Sequence, residues 1–205
     1  MKLLFSPPSI DDLIRLFKAW RYWSVGALIG GLIGAAIYYV APPPYRAHAV
    51  VLVDFNLEQA WPQETDREQF YYLEREVRKL EEIALSDTVM ESIAERSGNT
   101  STTELRNGML TLSQPAEGGW NFYVEDNDPQ RASSLVALWA QNFAEQVSLQ
   151  KRMEGGPNSF IEAKVIRTSQ FISERSVPIS TYLFVGAVVF LVLGSIVVLF
   201  VSKPQ

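Results

Sequence analysis

Two long apolar segments lie near the two ends of the chain, with a mostly polar segment between them. Residues 23–40 form a stretch of 18 residues without a charged side chain, and residues 179–201 form one of 23. As helices they would measure about 27 Å and about 35 Å, against a membrane hydrocarbon core of about 30 Å. With Tyr22 and Ala41 the first segment reaches the usual spanning length. The pattern predicts transmembrane helices at residues 23–41 and 179–201.

Two other interpretations apply to these segments. The first could be a cleaved signal peptide, but 22 residues precede it and prolines stand where small cleavage-site residues would be expected. The second could be a buried core helix, but 23 consecutive apolar residues are long for one. We therefore predict an uncleaved first span and a membrane-spanning second segment.

The flanking cations predict the orientation of both spans. Four cations precede the first span: Lys2, Arg15, Lys18 and Arg21. Lys203 follows the second span, whereas Arg46 is the only cation within about fifteen residues after the first. Three cations before the second span reduce this contrast: Lys164, Arg167 and Arg175. Because the first span usually dominates, we expect both termini in the cytoplasm, with residues 42–178 outside it and a short cytoplasmic tail at 202–205.

Residues 1–22 have the pattern of an amphipathic lead. Ser9 is placed to cap a helix, with Asp12 in the capping-box position. Apolar residues follow at helical spacing: Ile10, Leu13, Ile14, Phe17 and Trp20. The lead either lies on the membrane surface, with its cations near lipid phosphates, or continues the first helix into the cytoplasm.

The central segment begins and ends with strand patterns. Pro42, Pro43 and Pro44 break the first helix, since proline cannot continue it. Alternating apolar residues then predict a strand at residues 45–57: Ala47, Ala49, Val51, Val53 and Phe55. Residues 160–171 form a final extended stretch before Pro178. Since both strands lead directly to the spans, we expect them to pair side by side.

Helices and a hairpin are predicted between these strands. A helix at 65–84 has an apolar stripe: Phe70, Leu73, Val77, Leu80 and Ala84. A second helix begins at Ser86 or Asp87, points Val89 and Ile93 inward, and stops at Gly98. Thr102 is placed to cap a further short turn. Strands at 109–112 and 120–124 flank a hairpin loop at 115–119.

Asp128 and Pro129 predict the start of a long helix at 129–151, which the GGPN stretch at residues 155–158 would end. One face of this helix is apolar: Ala132, Leu135, Val136, Trp139, Phe143 and Val147. We expect Leu135, Trp139 and Phe143 to cover one face of the sheet. With Val51 and Val53 they are the predicted core residues of the domain. The predicted fold is an α/β (α+β) domain between two transmembrane helices.

The spans also carry candidate packing residues. Gly26, Gly30 and Gly34 are four residues apart, so they lie on one helix stripe where backbones can approach closely in lipid. Gly186 and Gly194 form a possible partner stripe on the second span.

Charge and composition exclude several functions. Residues 42–178 contain 21 Asp and Glu against 13 Lys and Arg, a net charge of −8, which argues against binding nucleic acid or anionic lipid surfaces. The chain has no cysteine and a single histidine, His48, within a strand pattern, where it is more often a satisfied or surface residue than a catalytic one. The carboxylate pairs Glu81–Glu82 and Asp126–Asp128 suit solvated faces or helix caps. We therefore predict no enzyme, no cofactor and no metal site.

The order of these features resembles the Wzz-type chain-length determinants, or polysaccharide co-polymerases, of bacterial inner membranes. Four places carry the resemblance: the lead SIDDLIRLFKAWRYW, the strand PPYRAHAVVLVDF, the strand and helix NFYVEDNDPQRASSLVALWAQNFAEQ, and the closing span with its extended approach. In that family a long helical hairpin projects from the domain. Here only residues 151–160 occupy its place, so the chain resembles a minimal member of the family that lacks the hairpin.

The resemblance implies a non-enzymatic scaffold in the bacterial inner membrane. It would regulate polymerisation or export of a surface polysaccharide (O-antigen, capsule or exopolysaccharide), as a homo-oligomeric ring in membrane lipid whose copies meet through the sides of the domain and the glycine-rich spans. A polysaccharide polymerase or a separate cytoplasmic kinase would be its partner. Two alternatives stay open: a structural accessory subunit of another membrane complex, and a membrane-anchored hydrolase that uses carboxylates.

Overall fold

The computed structural model describes residues 10, 14, 17–60, 66–98, 100–113, 119–166 and 174–201. The chain divides into two compact units: residues 1–43 with 177–205, and residues 44–176. The elements follow in the order α1 (Trp20–Val40), β1 (Tyr45–Asp54), α2 (Leu57–Ala60), α3 (Asp66–Ala84), α4 (Asp87–Ser97), α5 (Thr102–Glu104), an irregular helical turn (Leu105–Met109), β2 (Leu110–Ser113), β3 (Gly119–Asp126), α6 (Pro129–Gln150), β4 (Glu162–Val165), β5 (Glu174–Arg175) and α7 (Ile179–Val201).

The first unit contains α1 and α7, which pack against each other. Both helices are long and apolar enough to cross a membrane, judged by length and composition. Helix α1 begins at Trp20, three residues before the predicted start, and ends at Val40, one residue before the predicted end. Of the predicted lead, Ser9 and Asp12 lie outside the described residues. Ile10 and Phe17 are helical and exposed.

The second unit is built on one antiparallel sheet with the strand order β2-β3-β1-β4. The predicted pairing of the first and last strands is confirmed, since Val51 lies opposite Val165. The last extended stretch is shorter than predicted: β4 covers four residues, and residues 167–173 lie outside the described part. A separate strand, β5, pairs with the start of β1, where Tyr45 lies opposite Arg175. Strand β1 ends at Asp54, three residues early, because Asn56 adopts a positive φ of 43° and a short helix follows.

Helix α6 confirms its predicted start, since the Asp128 carboxylate accepts a hydrogen bond of 2.8 Å from the Gln130 amide. All six residues of its predicted apolar face are buried. It covers the sheet face to which the alternate residues of β1 point, and the core lies between them. The helix ends at Gln150, one residue before the predicted end, and the GGPN stretch at residues 155–158 does not terminate it but follows in the connection to β4.

Two predictions about helix ends are resolved by the structure. Ser86, rather than Asp87, caps α4 by accepting a hydrogen bond from the Val89 amide, and Gly98 ends that helix with a φ of 69°, as predicted. The prediction that Thr102 caps the next turn is wrong. Ser101 does so, because its hydroxyl accepts from the amide three residues ahead.

The predicted stripe of α3 is partly wrong. Phe70 is 64% exposed, whereas Tyr72 and Glu76 are buried beside Leu80. The inward face of the helix is therefore shifted in its N-terminal half. The buried carboxylate of Glu76, paired with the partly exposed Lys79, occupies that part of the face, and the apolar periodicity of the sequence does not reveal it.

The predicted hairpin is present as the antiparallel pair β2–β3, in which Leu112 lies opposite Phe122. Its strands are shifted or extended relative to 109–112 and 120–124. Of the predicted loop 115–119, residues 115–118 lie outside the described part, and Gly119 begins β3.

Candidate functional site

The glycine stripe of α1 contacts α7 of the same chain. A Cβ atom at Gly30 would overlap the carbonyl oxygen of Gly186 and lie 2.6 Å from the Cβ of Phe190. A Cβ at Gly34 would overlap the carbonyl group of Tyr182. These contacts occur every four residues in opposite directions along the two helices. The helices therefore run antiparallel, with backbones in direct contact.

The other predicted glycines lie on the same contact with more space. A Cβ at Gly26 would lie 3.3 Å from the carbonyl oxygen of Phe190. At Gly194 it would lie 3.6 Å from the Cβ of Trp23, towards the opposite end of the helix pair. All five predicted glycines thus lie in one intrachain interface. Beside it runs an apolar groove of about 380 Å³, with Ile33, Ile37 and Val189 in its walls.

The five predicted core residues of the domain are buried: Val51, Val53, Leu135, Trp139 and Phe143. The Trp139 ring meets Phe122 edge to face at 4.7 Å, and its indole N–H donates to the carbonyl of Ala84 at 2.8 Å. The hydrogen bond satisfies one of the carbonyls that the last turn of α3 leaves unpaired. Trp139 therefore joins α6 to the sheet and to the end of α3.

His48 points to the sheet face opposite the core. Its ring stacks on Tyr123 at 4.6 Å, and its Nε2 lies 2.8 Å from the Oδ1 of Asn121. On the same face Arg46 pairs with Glu125. The histidine is thus a satisfied strand residue, as predicted.

A polar cleft of about 970 Å³ lies where the irregular turn faces the start of α6. Asp126 is at its floor with a side chain only 5% exposed, and Arg131 pairs with both Asp126, at 3.3 Å, and Glu104, at 2.9 Å. The Asp126 and Asp128 carboxylates stabilise the backbone at the start of α6: Asp126 accepts from the Asp128 amide, and Asp128 caps the helix.

The described part of the chain contains no group of three or more His, Cys, Asp or Glu side chains arranged for a metal ion.

A second ionic cluster involves Glu76, which is 1% exposed. Its carboxylate accepts from Lys79 at 3.0 Å, from Arg75 at 3.2 Å and from the Asn158 amide at 2.9 Å. Lys79 also donates to the carbonyl of Gly156. The cluster thus fastens the short α6–β4 connection to α3.

Two features of the structure escaped the sequence analysis. The polar cleft is assembled from three separate stretches of chain, and no spacing in the sequence indicates it. Glu76 stands within the charged run EREVRK at residues 74–79, so the sequence gives no sign that it differs from its exposed neighbours. Only the fold reveals that this carboxylate is buried.

The comparisons with known proteins add no family assignment. No model of a protein family matches the chain, and no curated protein matches it with significance.

Proposed function

We propose that the chain is a bacterial inner-membrane protein that spans the membrane twice, with both termini in the cytoplasm and the α/β domain outside it. The lengths of α1 and α7 and the cations before α1 support this. The glycine contact supports it too, because close backbone packing through small residues is a typical mode of helix association in lipid.

Within that topology we propose a non-enzymatic scaffold that regulates the polymerisation or export of a surface polysaccharide. The observation that carries this is the way the chain enters and leaves the domain. The Ser176 amide donates to the carbonyl of Pro44 at 2.9 Å, and the Arg175 guanidinium lies 3.8 Å from the centre of the Tyr45 ring. Two apolar helices thus connect to adjacent strands of one sheet, which is backed by the helix that Asp128 caps, and this is the arrangement implied by the resemblance to Wzz-type proteins.

The scaffold acts as a homo-oligomer. Since the glycine stripe of α1 is occupied by α7, each copy contributes a ready-made helix pair, and copies meet through the domain and the lipid-facing sides of the helices. A polysaccharide polymerase or a separate cytoplasmic kinase is the partner in the membrane or at the termini.

Three measurements test this proposal. Deleting the gene should change the length distribution or the amount of surface polysaccharide on a gel. A reporter active only in the cytoplasm should work at either terminus, and a reporter that requires export should work only when inserted between residues 115 and 119. The particle extracted in mild detergent should have the mass of several identical copies.

The alternative is a structural accessory of another membrane assembly. In that case the extracted particle contains other subunits, and deletion leaves the polysaccharide unchanged. A lone monomer in mild detergent contradicts both versions of the scaffold.

A further inference from the structure

An exposed apolar face lies on the lead that precedes the first membrane helix. Ile10, Ile14 and Phe17 are helical, and they are 77%, 47% and 74% exposed. At about 100° per residue, their side chains fall within an arc of about 60° and so share one face. Large apolar side chains exposed together in this way mark a surface that contacts lipid or another protein.

A break in the backbone separates this face from the membrane span. Ala19 has a ψ of 14°, outside the range of an α-helix, and α1 begins at the next residue, Trp20. The carbonyl of Ala19 accepts a hydrogen bond of 2.9 Å from the Tyr22 amide, which closes a tighter turn at this point. The lead and α1 are therefore not one unbroken helix, so the apolar face is free to leave the axis of the span.

The charge of the lead has the opposite sign to that of the domain. Residues 1–22 contain four Lys and Arg against two Asp, a net charge of +2, whereas residues 42–178 carry −8. Lys18 and Arg21 stand on the two sides of the break, and both are exposed. Cations beside an exposed apolar face are typical of segments that lie on anionic lipid. Each cation near such a surface strengthens binding about fivefold.

The position of the face favours lipid over a protein partner. Trp20 and Trp23 stand at the start of the span, and tryptophan at the end of a membrane helix is typical of the membrane–water interface. Phe17 is three residues from Trp20, a separation of at most about 11 Å. The membrane surface is therefore the apolar partner that lies within reach of this face.

We propose that the lead docks on anionic phospholipid at the cytoplasmic face of the membrane. Ile10, Ile14 and Phe17 enter the boundary between head groups and acyl chains, and Lys18 and Arg21 contact lipid phosphates. The contact holds the start of α1 at a fixed depth in the membrane. The choice of leaflet rests on the topology in the proposed function, whereas the contact with anionic lipid does not depend on it.

The test places single spin labels on the full chain, which has no cysteine of its own. Ile10→Cys, Ile14→Cys and Phe17→Cys label the proposed face. Leu28→Cys, on the exposed side of α1, serves as the lipid reference, and Thr88→Cys, exposed on the domain, serves as the water reference. Each protein is reconstituted in vesicles of phosphatidylcholine alone or of equal parts phosphatidylcholine and phosphatidylglycerol. Electron paramagnetic resonance then measures collisions of each label with oxygen and with a water-soluble nickel chelate present on both sides of the bilayer.

In vesicles that contain phosphatidylglycerol, the three face labels should collide with oxygen more than the water reference does and should be protected from nickel. Lys18→Gln in the Ile14→Cys protein should lower the ratio of lipid-bound to free label about fivefold. Lys164→Gln is the matched control, because Lys164 is also an exposed lysine but lies in β4, and it should leave the ratio unchanged.

The proposal is overturned if the face labels meet nickel as freely as the Thr88→Cys label, or if phosphatidylcholine alone protects them equally well. It is also overturned if dilution with unlabelled protein narrows the spectrum of the Phe17→Cys label, since the face would then contact a second copy. Both leaflets of these vesicles have the same composition, so the result is independent of orientation. Reporter fusions and polysaccharide analysis test the proposed function separately, so the two failures are distinguishable.

Discussion

The contact between α1 and α7 allows a sharp test, because adjacent glycines differ in their surroundings. Gly30 faces the backbone of Gly186, where an added Cβ has no room. Gly31 is its neighbour on the same helix, and a Cβ there would lie 3.7 Å from the carbonyl oxygen of Leu183, an ordinary contact. Gly30→Ala should therefore separate the helices, and Gly31→Ala should not.

The size of the effect follows from these distances. The added Cβ at Gly30 would lie 2.6 Å from the Cβ of Phe190, against about 3.5–4.0 Å for a normal carbon contact, so the helices must move apart by about 1 Å. A gap of that size forfeits about a quarter to a half of the dispersion energy of each contact. Overpacking of this kind costs about 1–3 kcal/mol, and each 1.4 kcal/mol is about a tenfold change in equilibrium. Gly31→Ala should change the free energy of association of the two helices by less than about 0.5 kcal/mol.

A designed disulfide reports the contact in native membranes. The chain has no cysteine, so Trp23→Cys with Gly194→Cys introduces the only two thiols. A Cβ at Gly194 would lie 3.6 Å from the Cβ of Trp23, within the usual range of about 3.5–4.5 Å for a disulfide. Oxidation should form the bond rapidly within one chain. A maleimide gel-shift assay then measures the free thiols that remain.

In this background Gly30→Ala should slow disulfide formation about tenfold, and Gly31→Ala should leave its rate unchanged. Equal rates in the two variants would refute the close backbone contact. If the Trp23→Cys, Gly194→Cys protein without a glycine substitution instead gave crosslinked dimers on a non-reducing gel, the glycine stripe would join separate copies rather than the two helices of one chain.

Three further predictions concern the domain. Trp139→Ala should lower the free energy of unfolding by about 3–5 kcal/mol, and Trp139→Phe should lower it by about 1–3 kcal/mol because the Ala84 carbonyl loses its donor. Unfolding is followed by near-ultraviolet circular dichroism, and a loss below about 1 kcal/mol for the alanine variant would contradict the observed packing. Glu76→Ala should cost about 1–3 kcal/mol in the same assay because the Asn158 amide loses its acceptor, whereas the matched exposed variant Glu74→Ala should cost less than about 1 kcal/mol; equal losses would refute the buried carboxylate. Burial, then the Glu76 charge, raises the pKa of Tyr72 from 10.0 to about 12, so the folded state keeps a proton that the unfolded state loses. Stability should therefore fall between about pH 10 and pH 12, and denaturant unfolding at each pH should show a smaller fall in Tyr72→Phe; the same fall in both proteins would contradict this.

Local patterns in the sequence determined the elements of this protein. The apolar segments, the alternation that leads to Val51 and Val53, and the cap at Asp128 each depend on neighbours within a few residues, so they are readable without the fold. The apolar face of α6 was predicted in full for the same reason, because helical periodicity alone selects Leu135 and Trp139.

Only the tertiary structure decided which surfaces meet. A glycine stripe permits close packing but does not name its partner, and the register that places Gly30 against Gly186 depends on residues over 150 positions apart. Glu76 can be buried because the α6–β4 connection, far along the chain, supplies an amide that donates to its carboxylate. The polar cleft around Asp126 likewise exists only where distant segments converge, since hydrogen bonds and ion pairs between them depend on position in space and not on spacing in the sequence.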